Sequence, residues 1–451
     1  MIRNNIQDIL PLLPLQKTML NNSIIKKDAR LYKEINCYLI EKHIDEEKIR
    51  IAWEYVIKNN EVLRTVFKWN GLSEPVQIIL SEKECNYTVV NASQTSDSSF
   101  FEYVEEVCNQ MLKSEFNLEE DLFYITLLKK SDDCAVLVVM NHHILFDGWS
   151  NAMMLEEFYQ YYCDLLNFKN ISVRERETYR ECVKQNILEA KKYNEAFWIG
   201  YLSKYKKKYK PLTGGRGKEK NKAIAGFNFD ADILNRLRKE ADDNRMSIAV
   251  YFYAAWAILL YIYNKDTDVA FGATFSGRPD NMMNCMSLLI NTFPMIVHID
   301  GNTKIYEKLQ ELQDIINSIQ ENRNASLFEF YRQNKQFDIV DYDSIIVIQN
   351  YPINNILSTN EWVPISIYKR YYKSEIDLNM SIQFFDGIQY ELEYNTDKYT
   401  DMDIIDISKM YGDILENMLC ADDVASIERK LSQKEKTKKI EFKEFELDEV
   451  F

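Results

Sequence analysis

The sequence has little histidine, glycine or proline, and it lacks a long hydrophobic run. Its 451 residues include 4 histidines, 12 glycines and 8 prolines, while 46% of the residues are hydrophobic. Such a composition excludes a low-complexity or disordered chain, because the apolar residues suffice for a sizeable core. The run from Trp256 to Tyr263 is too short to cross a bilayer, and the first residues lack a signal-peptide pattern. We therefore expect no membrane partner.

Cysteine spacing and net charge further limit what kind of protein this is. The eight cysteines are scattered, no Cys-x-x-Cys occurs, and four histidines supply few further ligands. This predicts neither a metal site nor a disulfide framework, and it fits a reducing cytoplasm. The net charge of −15 argues against nucleic acid as a partner. One basic segment, residues 204–222, is an exception, and it fits either a solvated loop or a docking surface for an acidic partner.

Two of the four histidines, His142 and His143, are adjacent. They follow the apolar run Cys134–Met140, which predicts a buried strand, and a helical pattern begins after Ser150. Neighbours on a strand point to opposite faces, so we expect only one of the two rings to face a cleft. An imidazole there can take a proton from an amine or hydroxyl nucleophile, because it titrates near neutral pH.

Asp147 and Gly148 follow at a spacing that fits a tight turn. Gly148 allows the backbone to approach a substrate closely, and Asp147 can instead hold the loop by pairing with a distant arginine. A second interpretation needs no chemistry: a buried histidine pair beside a turn aspartate. The residues by themselves leave both interpretations open.

The hydrophobic periodicity predicts mixed α and β structure in two halves of similar size. We place a first unit at residues 1–180, a second at 181–430, and a linker-like tail at 431–451. Asp386-Gly387 predicts a hairpin turn, and Asp45 is predicted to cap a helix. Helices are predicted near residues 49–57, 101–112, 233–241, 248–263, 305–319 and 404–419, and strands at 123–128, 135–140, 269–275, 344–348, 380–385 and 388–394.

The spacing His142-His143-x-x-x-Asp147-Gly148 resembles the active-site motif of condensation domains from nonribosomal peptide synthetases. Asn59-Asn60 and Met286-Ser287 depart from the family, which usually has Arg-His at the first place and often a glycine at the second. The resemblance covers roughly residues 8 to 436. Further segments similar to family motifs occur in the family's order at Leu12–Leu20, Asn59–Phe67, Phe271–Pro279, Ile290–Pro294 and Asp343–Pro352.

The resemblance implies two chloramphenicol-acetyltransferase-like lobes in a V-shaped pseudo-dimer with a central tunnel. Donor and acceptor carrier proteins would insert their phosphopantetheine arms into that tunnel, and the protein would bind no cofactor of its own. The implied reaction is amide formation, in which the acceptor's amine attacks the donor's acyl thioester. We expect a monomer whose tail leads to a downstream adenylation domain.

The resemblance also assigns roles to residues. His143 would orient the amine or accept its proton, and Gly148 would offer its backbone N–H to the thioester oxygen. Asp147 would pair with Arg278, and His142 would be structural. The residues expected to line the tunnel are Trp149, Ser276 and Asn350.

Rival interpretations on the same fold fit the motifs of this sequence less well. An epimerization domain would carry a Glu-Gly-His-type motif, and no Glu-Gly or Gly-His pair occurs here. Heterocyclization domains replace the paired histidines with aspartates. A non-catalytic recruitment module usually has a damaged histidine motif, whereas this motif is intact. A stand-alone acyltransferase of the plant type would carry Asp-Phe-Gly-Trp-Gly, which is absent.

The donor is not determined by the sequence. The flank Phe146–Ser150 is similar to the subtype that joins L-configured partners and to starter domains close to it. If Met1 is the natural start, a starter domain that takes an acyl donor is favoured. Fatty acyl, aminoacyl and peptidyl donors all remain open.

Overall fold

Mixed α and β structure runs through the whole chain. The structure is a computed structural model that describes residues 5–26, 28, 30–173, 178–192, 194–205, 212, 222–229, 231–278, 280–323, 325–349, 363–372, 376–384 and 387–434. The strands are β1 (Ile6–Pro11), β2 (Lys33–Glu41), β3 (Thr65–Lys68), β4 (Val76–Leu80), β5 (Tyr87–Asn91), β6 (Phe123–Ser131), β7 (Cys134–His142), β8 (Lys222–Phe229), β9 (Asp268–Ser276), β10 (Ile290–His298), β11 (Ser344–Ile348), β12 (Ile365–Tyr372), β13 (Leu378–Phe384) and β14 (Ile388–Asn395). The helices are α1 (Pro14–Lys26), α2 (Glu46–Asn59), α3 (Asp97–Lys113), α4 (Gly148–Leu166), α5 (Tyr179–Ala190), α6 (Glu195–Leu202), α7 (Ala231–Asp243), α8 (Ile248–Asn264), α9 (Ile305–Glu321), α10 (Leu327–Gln333) and α11 (Asp401–Met418).

The first large sheet has the strand order β12-β2-β7-β6-β5. Its centre is β7, whose residues from Ala135 to His142 are all buried. Helices α2 and α4 cover one face, where Trp53 stacks on Phe158 with ring centroids 4.5 Å apart. Helix α3 covers the other face. Val136, Val138 and Met140 pack in the cluster that contains α3, while Leu137 and Val139 pack with α2 and α4. This alternation decides which way each histidine can point.

The second large sheet has the order β10-β9-β11-β13-β14-β8. Helix α8, which is buried along most of its length, packs against it together with α9 and α11. Gly272 on β9 is required by close approach, because a Cβ there would lie 2.6 Å from the Ile345 side chain on β11. A smaller sheet, β1-β4-β3, lies beside α1 and α5 in the first half of the sequence.

Strand β12 lies late in the sequence but pairs antiparallel with β2, from Ile365 opposite Ile40 to Tyr372 opposite Glu34. The two halves of the chain are therefore interleaved in the first sheet. The division near residue 180 stays a proposal, and any such division must assign β12 to the sheet of the first half.

Most predicted elements are present. Asp45 caps α2 by accepting a hydrogen bond from the Lys48 backbone N–H, and β13 and β14 form the predicted antiparallel hairpin. Helix α4 begins at Gly148 rather than after Ser150, because Asp147 is its N-cap and not merely a turn residue. Strands β1, β2, β5, β8, β10 and β12 were not predicted. Most of the basic segment 204–222 and residues 435–451 of the predicted tail lie outside the described residues.

Within the described ranges, no single helix is long and apolar enough to span a membrane. Helices α7 and α8 reach that length and composition only when taken together, and they meet at an angle of 110°.

Candidate active site

A cavity of about 320 Å³ lies where the end of β7 meets the second sheet. His143, Gly148 and Asn151 form part of its wall in the first half of the chain. The second sheet contributes Thr274, Thr292, Gln349, Asn379 and Glu393, and β12 contributes Arg370 and Tyr372. The wall therefore combines residues that are hundreds of positions apart in the sequence.

The loop holds His143 with one ring nitrogen engaged in a hydrogen bond to the backbone. Its backbone N–H donates to the Tyr32 carbonyl oxygen at 2.8 Å, and its Nδ1 lies 2.8 Å from the Phe146 carbonyl oxygen. A carbonyl oxygen only accepts, so Nδ1 carries a proton, and in the neutral ring Nε2 is the nitrogen with the lone pair. The Tyr372 ring stands edge-on to the imidazole at 5.9 Å. Nε2 is thus the ring nitrogen that can accept a proton from a molecule in the cavity.

His142 is buried and, by the alternation of β7, lies on the opposite face of the strand, which α3 covers. The Ile144 backbone N–H donates to its Nδ1 at 3.2 Å, and the rings of Tyr32 and Phe116 pack edge-on against it. Burial, followed by the nearby His143 and Lys33, lowers the pKa of His142 to about 3. The imidazole is therefore neutral across ordinary pH, and the histidine supports the loop rather than facing the cavity.

We predict that His142 makes the protein acid-sensitive. Its pKa is about 3 in the folded chain and 6.5 ordinarily, so between these values the unfolded chain binds more protons. The free energy of unfolding should fall by roughly 3 kcal/mol between pH 6.5 and pH 4 from this group alone. Urea unfolding of wild type and His142→Asn at several pH values measures the difference, since asparagine can still accept the Ile144 N–H but does not titrate.

His43→Asn is the matched control for that experiment. His43 is exposed and has φ 56°, a left-handed conformation that asparagine tolerates. The free energy of unfolding of His43→Asn should fall with pH as it does in the wild type. If His142→Asn lost stability as steeply as wild type between pH 6.5 and 4, the origin of the acid sensitivity would lie in other groups.

Asp147 and Arg278 form a buried ion pair between the two halves of the chain. The Arg278 Nη2 donates to both carboxylate oxygens of Asp147, at 3.1 and 3.2 Å, and the two side chains are 2% and 1% exposed. Arg278 Nη1 also donates to the Cys285 carbonyl oxygen. The pair that the resemblance implied is present in the structure.

Ser150 extends this network, and sequence reasoning had assigned it no role. Its hydroxyl lies 2.9 Å from Asp147 Oδ1 and 2.9 Å from the Ser287 carbonyl oxygen, and Arg278 Nη2 donates to it at 3.0 Å. The Leu289 backbone N–H donates to Asp147 Oδ2 at 2.9 Å. Asp147 therefore caps α4 and ties it to the segment between β9 and β10, which fixes the loop that carries His143.

Gly148 lines the cavity as the first residue of α4. The first backbone N–H groups of a helix have no partner within it, and the helix dipole concentrates partial positive charge there. A developing negative charge in the cavity would be stabilised by such a group. This position suits the expected contact with a thioester oxygen.

Two residues expected to line the tunnel do not line this cavity. Trp149 is rotated by about 100° from Gly148 around the axis of α4, so it lies on a different face of the helix. Its indole N–H donates to the Met283 carbonyl oxygen at 3.3 Å. Ser276 lies at the exposed end of β9, two residues beyond Thr274, and its hydroxyl accepts from the Arg278 backbone N–H at 3.3 Å. Asn350 lies outside the described residues.

Glu34 and Asn151 are cavity residues that sequence reasoning missed. Glu34 is placed by the register of β2 on β7, which sets it opposite Asn141. Asn151 is 8% exposed, and its Oδ1 has no hydrogen-bond partner among the described residues. The only available signal was strand and helix periodicity, which indicates a face but not what lies opposite it.

The assembled groups suit transfer of an acyl group to a nucleophile. In the neutral form of the His143 ring, Nε2 is the unprotonated nitrogen, and a helix N-terminus lies in the same cavity wall. These are the two functions that attack on a carbonyl needs: a proton acceptor and stabilisation of the oxygen. Within the described ranges no group of three or more His, Cys, Asp or Glu residues could hold a metal ion.

Comparison with known proteins points in the same direction. The family model described as "Condensation domain" matches residues 6–441. A linear gramicidin synthase subunit of Brevibacillus parabrevis is 26% identical over 438 residues, which cover 94% of this chain and 8% of that protein. Bacitracin synthase 3 of Bacillus licheniformis is 27% identical over 362 residues, 77% of this chain and 6% of that protein. The chain thus spans less than a tenth of the length of these relatives.

Solved structures share the fold. The first condensation domain of the calcium-dependent antibiotic synthetase, in complex with a substrate analogue, matches with a TM-score of 0.77 at 14% identity, over 93% of this chain and 99% of that chain. The starter condensation domain of rhizomide synthetase matches with a TM-score of 0.74 at 14% identity, over 93% and 99%. The fold is the mixed α/β, chloramphenicol-acetyltransferase-like fold of those domains.

Proposed function

The chain belongs to the condensation-domain family, and from that membership we propose that it forms an amide bond between a carrier-bound acyl thioester and the amine of a carrier-bound aminoacyl acceptor. The single observation that carries the proposal is the arrangement of the His143 ring. Its Nδ1 is engaged by the Phe146 carbonyl oxygen, and its Nε2 is available to the same cavity that Gly148 lines.

In the proposed reaction the acceptor's amine attacks the thioester carbonyl carbon, and a C–N bond forms. His143 Nε2 orients the amine and accepts its proton. The carbonyl oxygen becomes negative and lies near the Gly148 backbone N–H. The C–S bond then breaks, His143 passes its proton to the sulfur, and the donor arm leaves as a thiol.

Other residues keep these groups in place. Asp147 and Arg278 hold the loop between β7 and α4, and His142 supports it from the α3 side. The cavity belongs to the proposed tunnel, in which the phosphopantetheine arms of the donor and acceptor carriers meet. The carriers supply these arms, and the proposed steps use no metal.

The proposed setting is a multidomain synthetase in the cytoplasm. The relatives are long synthetases, and one structural match is a four-domain nonribosomal peptide synthetase bound to AMP and glycine. We infer that the partners are carrier proteins and a downstream adenylation domain, and that the chain itself acts as a monomer without nucleic acid or membrane.

The donor class separates the starter subtype from the subtype that joins L-configured partners. We expect intact-protein mass spectrometry of an acceptor carrier, loaded with an amino acid, to show a mass gain with one donor class. The donors to compare are fatty acyl, aminoacyl and peptidyl thioesters on a carrier. A gain with the fatty acyl donor alone indicates a starter domain, and a gain with aminoacyl or peptidyl donors indicates elongation.

His143→Ala is the control for that experiment, because a true condensation product should disappear with it. Carrier binding without any mass gain would overturn the proposed reaction. It would favour the second candidate, a non-catalytic recruitment module, although the intact histidine motif supports catalysis.

A further inference from the structure

We propose that Glu34 is a positioning residue for His143 in the amide-forming reaction, an assignment that rests on the function proposed above. Glu34 is the second residue of β2, and its Oε1 lies 3.5 Å from His143 Nδ1. No motif in the sequence singled it out. It lines the same cavity as His143 and its side chain is 20% exposed.

The strand register explains why the carboxylate is there. Lys33 lies opposite His142 and Glu34 lies opposite Asn141, so the alternation of β2 puts Lys33 towards α3 and Glu34 towards the cavity. Tyr32, the residue just before β2, has φ 57°, and its carbonyl oxygen accepts a hydrogen bond from the His143 backbone N–H. The start of β2 therefore contacts His143 at both its backbone and its ring.

Asn141 holds the carboxylate in place. Its Nδ2 donates to Glu34 Oε2 at 2.9 Å, which leaves Oε1 for the imidazole. The Asn141 side chain is fully buried, and its own Oδ1 has no hydrogen-bond partner among the described residues. The amide is thus oriented for the carboxylate at the cost of a buried oxygen that no described residue pairs.

This geometry suits electrostatic stabilisation rather than a direct hydrogen bond. His143 Nδ1–H points to the Phe146 carbonyl oxygen at 2.8 Å, and the carboxylate stands 3.5 Å from the same nitrogen. When Nε2 accepts the amine proton, the ring becomes positive, and a nearby negative charge stabilises it. Glu34 acts through His143 and moves no proton itself.

The test compares steady-state kinetics of Glu34→Gln and wild type on whichever donor the wild type uses. Glutamine keeps the size of the side chain and can still accept from Asn141, but it removes the charge. We expect kcat to fall about 10- to 100-fold, with the KM for the loaded acceptor carrier within about twofold of wild type. Glu34→Asp, which keeps the charge, should recover part of the lost kcat.

Two further variants guard the interpretation. Glu41→Gln removes an exposed carboxylate at the other end of the same strand and should leave both constants unchanged. Asn141→Ala releases Glu34 Oε2, so kcat should fall in the same direction by about 3- to 10-fold. The double variant Glu34→Gln/Asn141→Ala should be no slower than Glu34→Gln, because both changes act on one contact.

An unchanged kcat in Glu34→Gln would overturn the assignment. So would a raised KM at unchanged kcat, which would make Glu34 a binding residue for the acceptor. If the wild type forms no amide with any donor, the proposed function fails and this assignment fails with it. An active wild type beside an unaffected Glu34→Gln variant overturns the assignment alone.

Discussion

His143→Ala should lower the rate of amide formation by about two to four orders of magnitude, the usual contribution of a positioned proton acceptor. Among the described residues, the variant loses the one imidazole that lines the cavity, whereas the other contacts of the wall stay in place. Single-turnover formation of the amide on the acceptor carrier, followed by mass spectrometry, measures the loss directly.

Stability should change little in the same variant. The His143 side chain donates one hydrogen bond, to the Phe146 carbonyl oxygen, and losing it costs about 1 kcal/mol. Urea unfolding checks this, with His142→Ala as the opposite case: that residue is buried and supports the loop, so its loss should act mainly on stability. Wild-type turnover by a folded His143→Ala protein would assign the proton transfer and the orientation of the amine to other groups.

Breaking the Asp147–Arg278 pair should destabilise the protein by about 3–5 kcal/mol, because each single substitution leaves the other charge buried without its partner. Asp147→Ala leaves the Arg278 guanidinium beside the Cys285 carbonyl oxygen and the Ser150 hydroxyl, and it removes the cap of α4. Among the described residues, Arg278→Ala leaves the Asp147 carboxylate with the hydrogen bonds of Ser150 and the Leu289 backbone.

The two single variants should therefore resemble each other, and the double alanine variant should be no less stable than either. Free energies of unfolding from urea titrations give the coupling directly. Losses that simply add, to about twice the single value, would mean that the two side chains stabilise the protein independently.

An exposed ion pair supplies the matched control. Lys369 on β12 and Glu105 on α3 also join distant parts of the sequence, but their side chains are 40% and 44% exposed. Glu105→Ala should cost less than about 1 kcal/mol, because water screens the charges and solvates the one that remains. The contrast separates burial of charge from mere sequence separation.

Local patterns predicted most of the elements that form the site. The apolar run Cys134–Met140 and the helical spacing after Ser150 predicted β7 and α4, with the histidines at their junction, although β7 extends two residues beyond the run and includes His142. Strand geometry also indicated that only one ring would face a cavity. Such patterns are readable because the periods of two and 3.6 residues are properties of the chain segment itself.

The start of α4 shows where local patterns are less complete. Asp147 and Gly148 were interpreted as turn residues, yet Asp147 accepts from the Ser150 backbone N–H and caps the helix. The signal was present, since aspartate followed by a helical pattern is a common helix start. It was obscured because glycine lowers helix propensity and suggested a turn instead.

By itself, the sequence determined the mixed α/β composition, the histidine motif and its placement between a strand and a helix, and through its series of motifs the family. Only the tertiary structure decided that β12 joins β2, that Glu34 stands 3.5 Å from His143 Nδ1, and that Trp149 and Ser276 are not among the residues that line the cavity. The physical reason is strand pairing and helix rotation. A segment's own periodicity specifies which of its faces is buried, but its neighbour and register depend on residues hundreds of positions away.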